Sequence, residues 1–242
     1  MRVAIMQPYL FPYVGYFQLL HCADAFVVLD DVAFIKRGWI NRNRILVNRA
    51  AHLFTLPLAG SSQHQLIKDI NLLPDDYARR KLLATLQQAY RRAPYFEPVF
   101  ALVQRVLLAP HSDLTALVLD SLERVNAYLG RPVPLLRSST LAKDTQAVGQ
   151  ERIIDICRQL GAHEYVNMLG GAALYTAPAF WRQGIRLRFL QPTLAPYPQK
   201  TSAFVPGLSI IDVLMHNTPA EARRLVLQAD LREEVIPQKT AA

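Results

Sequence analysis

The chain has 242 residues, enough for one large domain or two small ones built around a substantial core. Of these residues 51% are apolar and 19% charged, which excludes a disordered chain, and nothing approaches the ~18 consecutive apolar residues of a membrane span. The formal net charge of +8 and a pI near 9.7 favour anionic partners: nucleic acid, phosphorylated metabolites or a membrane surface.

The first predicted element is a short strand over Val3–Met6, which Pro8 forbids from continuing. Gln7 and Pro8 also break the apolar run too early for a signal peptide, so the expected location is the cytoplasm. Tyr16–Cys22 reads as a helix and AFVVL, Ala25–Leu29, as a fully buried strand, which makes a βαβ-like opening. Arg44–Leu58 suits a hairpin with His52–Leu58 as its second arm. Three amphipathic helices follow between Pro74 and Gly130. Leu82, Leu83, Leu86, Ala89 and Tyr90 mark the first, Val99, Leu102, Val103, Val106 and Leu107 the second. The third carries Leu114, Leu117, Val118, Leu122, Val125 and Leu129, with Ser112 or Asp113 as cap.

An α/β rhythm then returns. Val133–Arg137 is a strand, Gln150–Leu160 a helix closed by Gly161, and Tyr165–Asn167 a strand running into Gly170-Gly171. Ile185, Leu187 and Phe189 alternate with Arg186 and Arg188, a strand with one wet face. Thr218-Pro219-Ala220-Glu221 is a capping box that opens a last helix. The fold class is therefore α/β, a Rossmann-like layered sheet. One domain spans residues 1–236 with a helical insert at about 74–130, and residues 237–242 read as a disordered tail.

One stretch concentrates unusual chemistry: DDVAFIKRGWINRNRI, from Asp30 to Ile45. Asp30 and Asp31 end a buried strand, where open α/β sheets place ligands, and adjacent strand residues point to opposite faces. Lys36 and Arg37 suit an anion, lysine as a point charge and arginine as a bidentate fork. Trp39 stands between the cations. Asn41 and Asn43 alternate with Arg42 and Arg44, so an extended chain puts both asparagines on one face as a polar recognition wall. The run suits a solvated loop, a nucleic-acid patch or a pocket wall. Nucleic-acid binding would show affinity falling steeply with salt.

The earlier MQPYLFPYVGYFQLL is a rigid aromatic loop after the first strand. Its Tyr13-x-Gly15-Tyr16 loosely echoes the His-x-Gly-His loop of nucleotidyltransferases, although tyrosine is no cation; an aromatic mini-core is the alternative. YVNMLGGAALY, Tyr165–Tyr175, places two glycines at a strand end, where backbone approaches an anion or simply turns. The two cysteines and six histidines show neither a disulfide framework nor metal-ligand spacing, no particular cofactor is indicated, and His21 reads as a packed or surface side chain.

Together QPYLFPYVGYFQLL, DDVAFIKRGWINRNRIL, RIIDICRQLGAHEYVNMLGGAALY, YPQ and FVPGLSIIDVLMHN resemble the WbqC-like proteins over nearly the whole chain. The resemblance implies a role in bacterial O-antigen or other surface-polysaccharide assembly and, more finely, glycine transfer to an amino sugar. That reaction needs an activated amino-acid donor, aminoacyl-tRNA included, and a nucleotide-linked amino sugar as anionic acceptor. Asp30 or Asp31 is the candidate base, and Lys36, Arg37, Asn41 and Asn43 the anion and oxyanion partners. Gln7, Tyr13, Trp39, Asn167, Gly170, Gly171, Tyr175 and Gln199 are the further substrate-binding candidates, and Gln7, Asp31, Lys36, Arg37, Asn41 and Asn43 are expected to converge with Asn167, Gly170, Gly171, Tyr175 and Gln199 on one cleft. A non-catalytic nucleotide-sugar-binding or scaffold protein and a nucleotidyltransferase-like enzyme are the alternatives.

Overall fold

The computed structural model describes residues 1–111 and 113–233. In chain order the elements are β1 (Arg2–Met6), α1 (Val14–Cys22), β2 (Ala25–Val28), β3 (Arg42–Val47), β4 (Ala50–Thr55), β5 (Leu58–Ala59) and β6 (Asn71–Leu72). Then come α2 (Tyr77–Tyr90), α3 (Phe96–Leu108), α4 (Leu114–Tyr128), β7 (Leu135–Arg137), α5 (Gly149–Gln159) and β8 (Glu164–Met168). The chain closes with α6 (Ala177–Trp181), β9 (Arg186–Pro192), α7 (Ile210–His216), α8 (Pro219–Val226) and β10 (Ala229–Glu233). The main sheet runs β10-β9-β8-β1-β2-β7, with every pairing parallel except the antiparallel edge pair β9–β10.

Strand period dictates the layers. Ala4, Phe26 and Val28 face α1, whose Phe17, Leu19 and Leu20 are fully buried there. Val3, Ile5 and Val27 face the other way, onto Ile153, Ile156 and Cys157 of α5 and Phe180 of α6. Helices thus cover both faces of a largely parallel sheet, the Rossmann-like α/β arrangement expected from the sequence. The helices α2, α3 and α4 lie between β2 and β7, and their apolar stripes join the core on the α1 face. Asp113 caps α4, its carboxylate accepting the Ala116 N–H at 2.8 Å, and the Thr218–Glu221 capping box opens α8.

Besides α6 and the short β5–β6 pair, which the sequence reading did not anticipate, three features differ from it. The hairpin arms lie earlier than expected because the chain reverses at Asn48-Arg49, both in the left-handed region (φ 49 and 64), as a two-residue primed turn requires. The second is α7, which the pattern conceals: Ile210–Met215 is buried all round, so no polar face sets a period. The third is β10, an edge strand whose ADLRE sequence carries little β-propensity. The tail 237–242 lies outside the described residues. No described helix is long and apolar enough to cross a membrane, and no described group of His, Cys, Asp and Glu is arranged to hold a metal.

Candidate functional site

In this sheet the chain moves from β1 to β2 on one side and returns to β8 on the other, so the strand order reverses between β1 and β8. Loops leaving two such strands diverge and open a crevice at their carboxyl ends. A cleft of about 860 Å³ lies there, bounded by Gln7 after β1 and by Gly170 and Gly171 after β8.

The first wall is the loop from Gln7 to Tyr13. Phe11 sits in the left-handed region at φ 42, a conformation that costs a bulky residue stability and needs outside support. The support comes from Asn43, whose amide donates to the Leu10 and Phe11 carbonyls at 3.2 and 2.8 Å, and from Ser209 Oγ, donating to Phe11 O at 2.7 Å. Tyr16 Oη donates to Gln7 O at 2.9 Å, and its ring packs 5.5 Å from Tyr9 and 5.3 Å from Phe26. Gly15 has a steric reason: a Cβ there would meet the Tyr13 ring at 2.5 Å. Burial pushes the Tyr13 phenol up to about 12, with help from Tyr9, and Tyr9 and Tyr16 are raised by burial too. At neutral pH these phenols stay protonated and act as hydrogen-bond donors. The Gln7 side-chain amide has no partner among the described residues.

The second wall is charged. Arg44 and Arg42 hold their guanidinium carbons 5.6 and 5.7 Å from the Trp39 ring centre, in cation–π range. Arg44 lines the cleft, meets only the Gly207 carbonyl at 3.3 Å through its guanidinium, and has a buried Nε with no hydrogen-bond partner. No carboxylate pairs with it among the described residues.

The third wall follows β8. Asn167 is buried, donates to Tyr165 Oη at 2.8 Å and Tyr175 Oη at 3.0 Å, and accepts the Met168 N–H at 2.6 Å. It orients Tyr175. Gly170 and Gly171 lie within a six-residue 3-10 helix, Leu169–Leu174, too short to offer the strong dipole of a long helix start. Met168, Leu169 and Leu174 add an apolar surface.

The structure therefore brings Gln7, Tyr13, Trp39, Asn43, Asn167, Gly170, Gly171 and Tyr175 together on one cleft. It places the remaining candidates elsewhere. Asp30 is fully buried and saturated: Arg137 Nε at 2.9 Å, Ser139 Oγ at 2.8 Å, Ser139 N at 2.9 Å and Ser138 Oγ at 3.0 Å surround its carboxylate. Asp31 pairs with Lys143 Nζ at 2.7 Å and lies 2.5 Å from Ser138 Oγ. Burial works to raise its carboxyl, but Lys143 and Ser138 outweigh that and hold it below the ordinary value. Both aspartates tie the end of β2 to the segment after β7, and neither is placed to take a proton in the cleft. Lys36 and Arg37 are exposed on the 35–38 turn, Arg37 with φ 61, outside the cleft lining. Asn41 donates to the Leu56 carbonyl at 2.7 Å, a hairpin clasp. Gln199 is used by the fold as well, donating to Tyr197 Oη at 3.0 Å and Asp212 Oδ1 at 3.0 Å beneath α7.

The sequence reading passed over Arg44, Tyr9, Tyr16 and Gln191, which also line the cleft. The spacing Trp39-x-x-Arg42-x-Arg44 held a signal for Arg44, because a strand period puts both guanidinium groups on one side, over the indole.

The chain is thus a doubly wound α/β protein with an aromatic, arginine-bearing cleft at its switch point, the position where ligands of such sheets bind. The match to known proteins is at family level: the WbqC-like protein family matches residues 7–224, and the chain belongs to that family. It is 30% identical over 225 residues to an uncharacterized protein of Mycobacterium tuberculosis, covering 91% of this chain and 95% of that relative. No solved structure matches it.

Proposed function

We propose that the cleft binds an anionic small molecule of the nucleotide-linked amino-sugar type and that the protein serves bacterial surface-glycan assembly. The observation that carries this reading is Arg44, a guanidinium without a carboxylate partner among the described residues, stacked by Trp39 in an otherwise aromatic and amide-lined cleft. A phosphate or pyrophosphate offers the acceptor atoms that Arg44 lacks, and the Tyr9, Tyr13 and Gln7 groups supply donors to sugar hydroxyls. Calorimetric titration with a nucleotide-linked amino sugar tests it. Saturable binding that Arg44→Ala weakens supports the reading, and absence of binding to any such compound defeats it.

A second reading, aminoacyl transfer of glycine to the sugar amine, has support in the phenol and amide donors available to a tetrahedral oxyanion. In that step the neutral amine attacks the activated acyl carbon, the new C–N bond forms, the donor's leaving group departs and the amine proton passes to solvent. Against it stands the lining itself, which among the described residues has no Asp, Glu, His or Cys to serve as base. Incubation with activated glycine and the same sugar decides between them. Binding without a glycyl mass increase sinks the transfer and leaves a binding or scaffold protein.

A further inference from the structure

We propose that a second, basic pocket binds a small multiply charged phosphate anion, independently of the cleft. This pocket, about 390 Å³, lies between the tip of the β3–β4 hairpin, the carboxyl end of α2 and Lys200. Its volume falls in the range of small-molecule sites, roughly 300–1,000 Å³. Arg49, Arg91, Arg92 and Lys200 line it, together with the Asn48 and Gln88 amides, and no Asp or Glu does. None of the four cations forms an ion pair among the described residues; Lys200 Nζ donates to the Arg92 carbonyl.

Four like charges from three separate segments repel one another when the pocket is empty, and an anion relieves that repulsion. The negative carboxyl end of α2 accounts for Arg91 and Arg92 as ordinary helix-end cations. It accounts for neither Lys200, which arrives from the segment before α7, nor Arg49. Arg49 is the more informative residue. It occupies the second position of a primed turn at φ 64, where glycine is relaxed and an arginine is strained. The fold therefore carries a strained cation at the rim of a basic pocket, where strain and binding commonly coincide.

The two sites are separate. Arg44 belongs to β3 and lines the cleft, whereas Arg49 belongs to the turn beyond the strand; the stretch of β3 from Arg44 to Val47 alone spans about 10 Å at ~3.3 Å per residue. No single phosphate group reaches both. The concave shape and its amides suit a compact oligophosphate, as free anion or as the tail of a nucleotide, better than the long rail that a nucleic-acid backbone needs.

Calorimetric titration of tripolyphosphate into Arg44→Ala protein, in which the cleft's own arginine is gone, is the test. One saturable site is expected. Arg92→Ala should weaken it about tenfold or more, the loss of one charge-assisted contact. Arg49→Gly should do the same while melting no lower than its parent, because glycine relaxes the turn. Lys81→Ala, an exposed cation on α2 outside the pocket, should leave the affinity unchanged. Competition by a nucleoside triphosphate but not by its nucleoside would identify the phosphate tail as the ligand; displacement by inorganic tripolyphosphate alone would identify the free anion. No saturable heat, equal losses for Lys81→Ala and Arg92→Ala, or far tighter binding of a long RNA oligonucleotide would overturn the proposal.

Discussion

Arg44 has a buried Nε without a hydrogen-bond partner, and its guanidinium meets the Gly207 carbonyl and no carboxylate among the described residues. Arg44→Lys keeps the charge and loses the planar fork and its stacking on Trp39. It should weaken binding of a nucleotide-linked amino sugar by roughly ten- to 150-fold, the span of one charge-assisted contact worth about 1.5–3 kcal/mol. Arg37→Lys, in the exposed turn outside the cleft, should leave the calorimetric affinity unchanged. The sequence displayed all these cations in one run. It did not show which were already engaged, because Asp30 and Asp31 meet partners more than 100 residues away, Arg137, Ser138, Ser139 and Lys143. Asp31 and His21 give the pH dependence its sign. Asp31 is depressed below its ordinary 3.8, so its stabilising contribution is present above that value and disappears as pH falls through the folded-state value. His21, with both ring nitrogens buried and unpartnered, is lowered to about 4 by burial first and by Arg131 and Arg223 next. The unfolded chain therefore binds a proton between pH 6.5 and about 4 that the folded one refuses, and stability falls across that window on acidification. Urea unfolding at pH 7 and pH 5 should show His21→Leu losing less stability than the parent chain.

At the scale of elements, the cleft depends on how the loop after β1 is held. Asn43→Ala removes the amide donor to Leu10 and Phe11, leaving the Leu10 carbonyl unpaired and the strained Phe11 held through its carbonyl by Ser209 alone. It should destabilise the fold by about 1–3 kcal/mol in chemical denaturation and also weaken ligand binding. Gly15→Ala separates those two effects. A methyl group would displace the Tyr13 ring, the mobile partner in that contact, while alanine improves the first turn of α1. Melting temperature should hold or rise while affinity falls. The elements with periodic patterns were legible: α2, α3 and α4 from their apolar stripes, β2 from its unbroken buried run, α8 from its capping box. Elements were missed where periodicity or propensity is absent, as in α7 and β10. The supporting role of Asn43 was not legible for a related reason. The alternation Asn-Arg-Asn-Arg tells which side chains share a face, whereas the strain at Phe11 that Asn43 relieves is visible only in three dimensions.

For the molecule as a whole, the βαβ opening and the later return of strands pointed to a layered α/β sheet, and so to ligands at strand ends. The sequence could not reveal that β8 pairs beside β1, which makes Gln7 and Gly170 neighbours on one cleft. The net charge of +8 is a second global property; by itself it left nucleic acid, phosphorylated metabolites and a membrane surface open, and the proposed sites at Arg44 and the basic pocket suit compact anions among these. Affinity for a nucleotide-linked sugar should then fall modestly with salt, far less than the ~10³-fold or greater loss expected when many backbone phosphates are neutralised. The chain holds a reporter for the cleft. Of its two tryptophans, Trp39 lines the cleft, while Trp181 is 71% exposed and does not. The most direct measurement is tryptophan fluorescence of the Trp181→Phe protein during titration with a nucleotide-linked amino sugar. Ligand binding in the cleft should produce a saturable change in Trp39 emission that Arg44→Ala shifts to at least tenfold higher ligand concentration. A flat signal with no calorimetric binding, or an identical curve in Arg44→Ala, would contradict it.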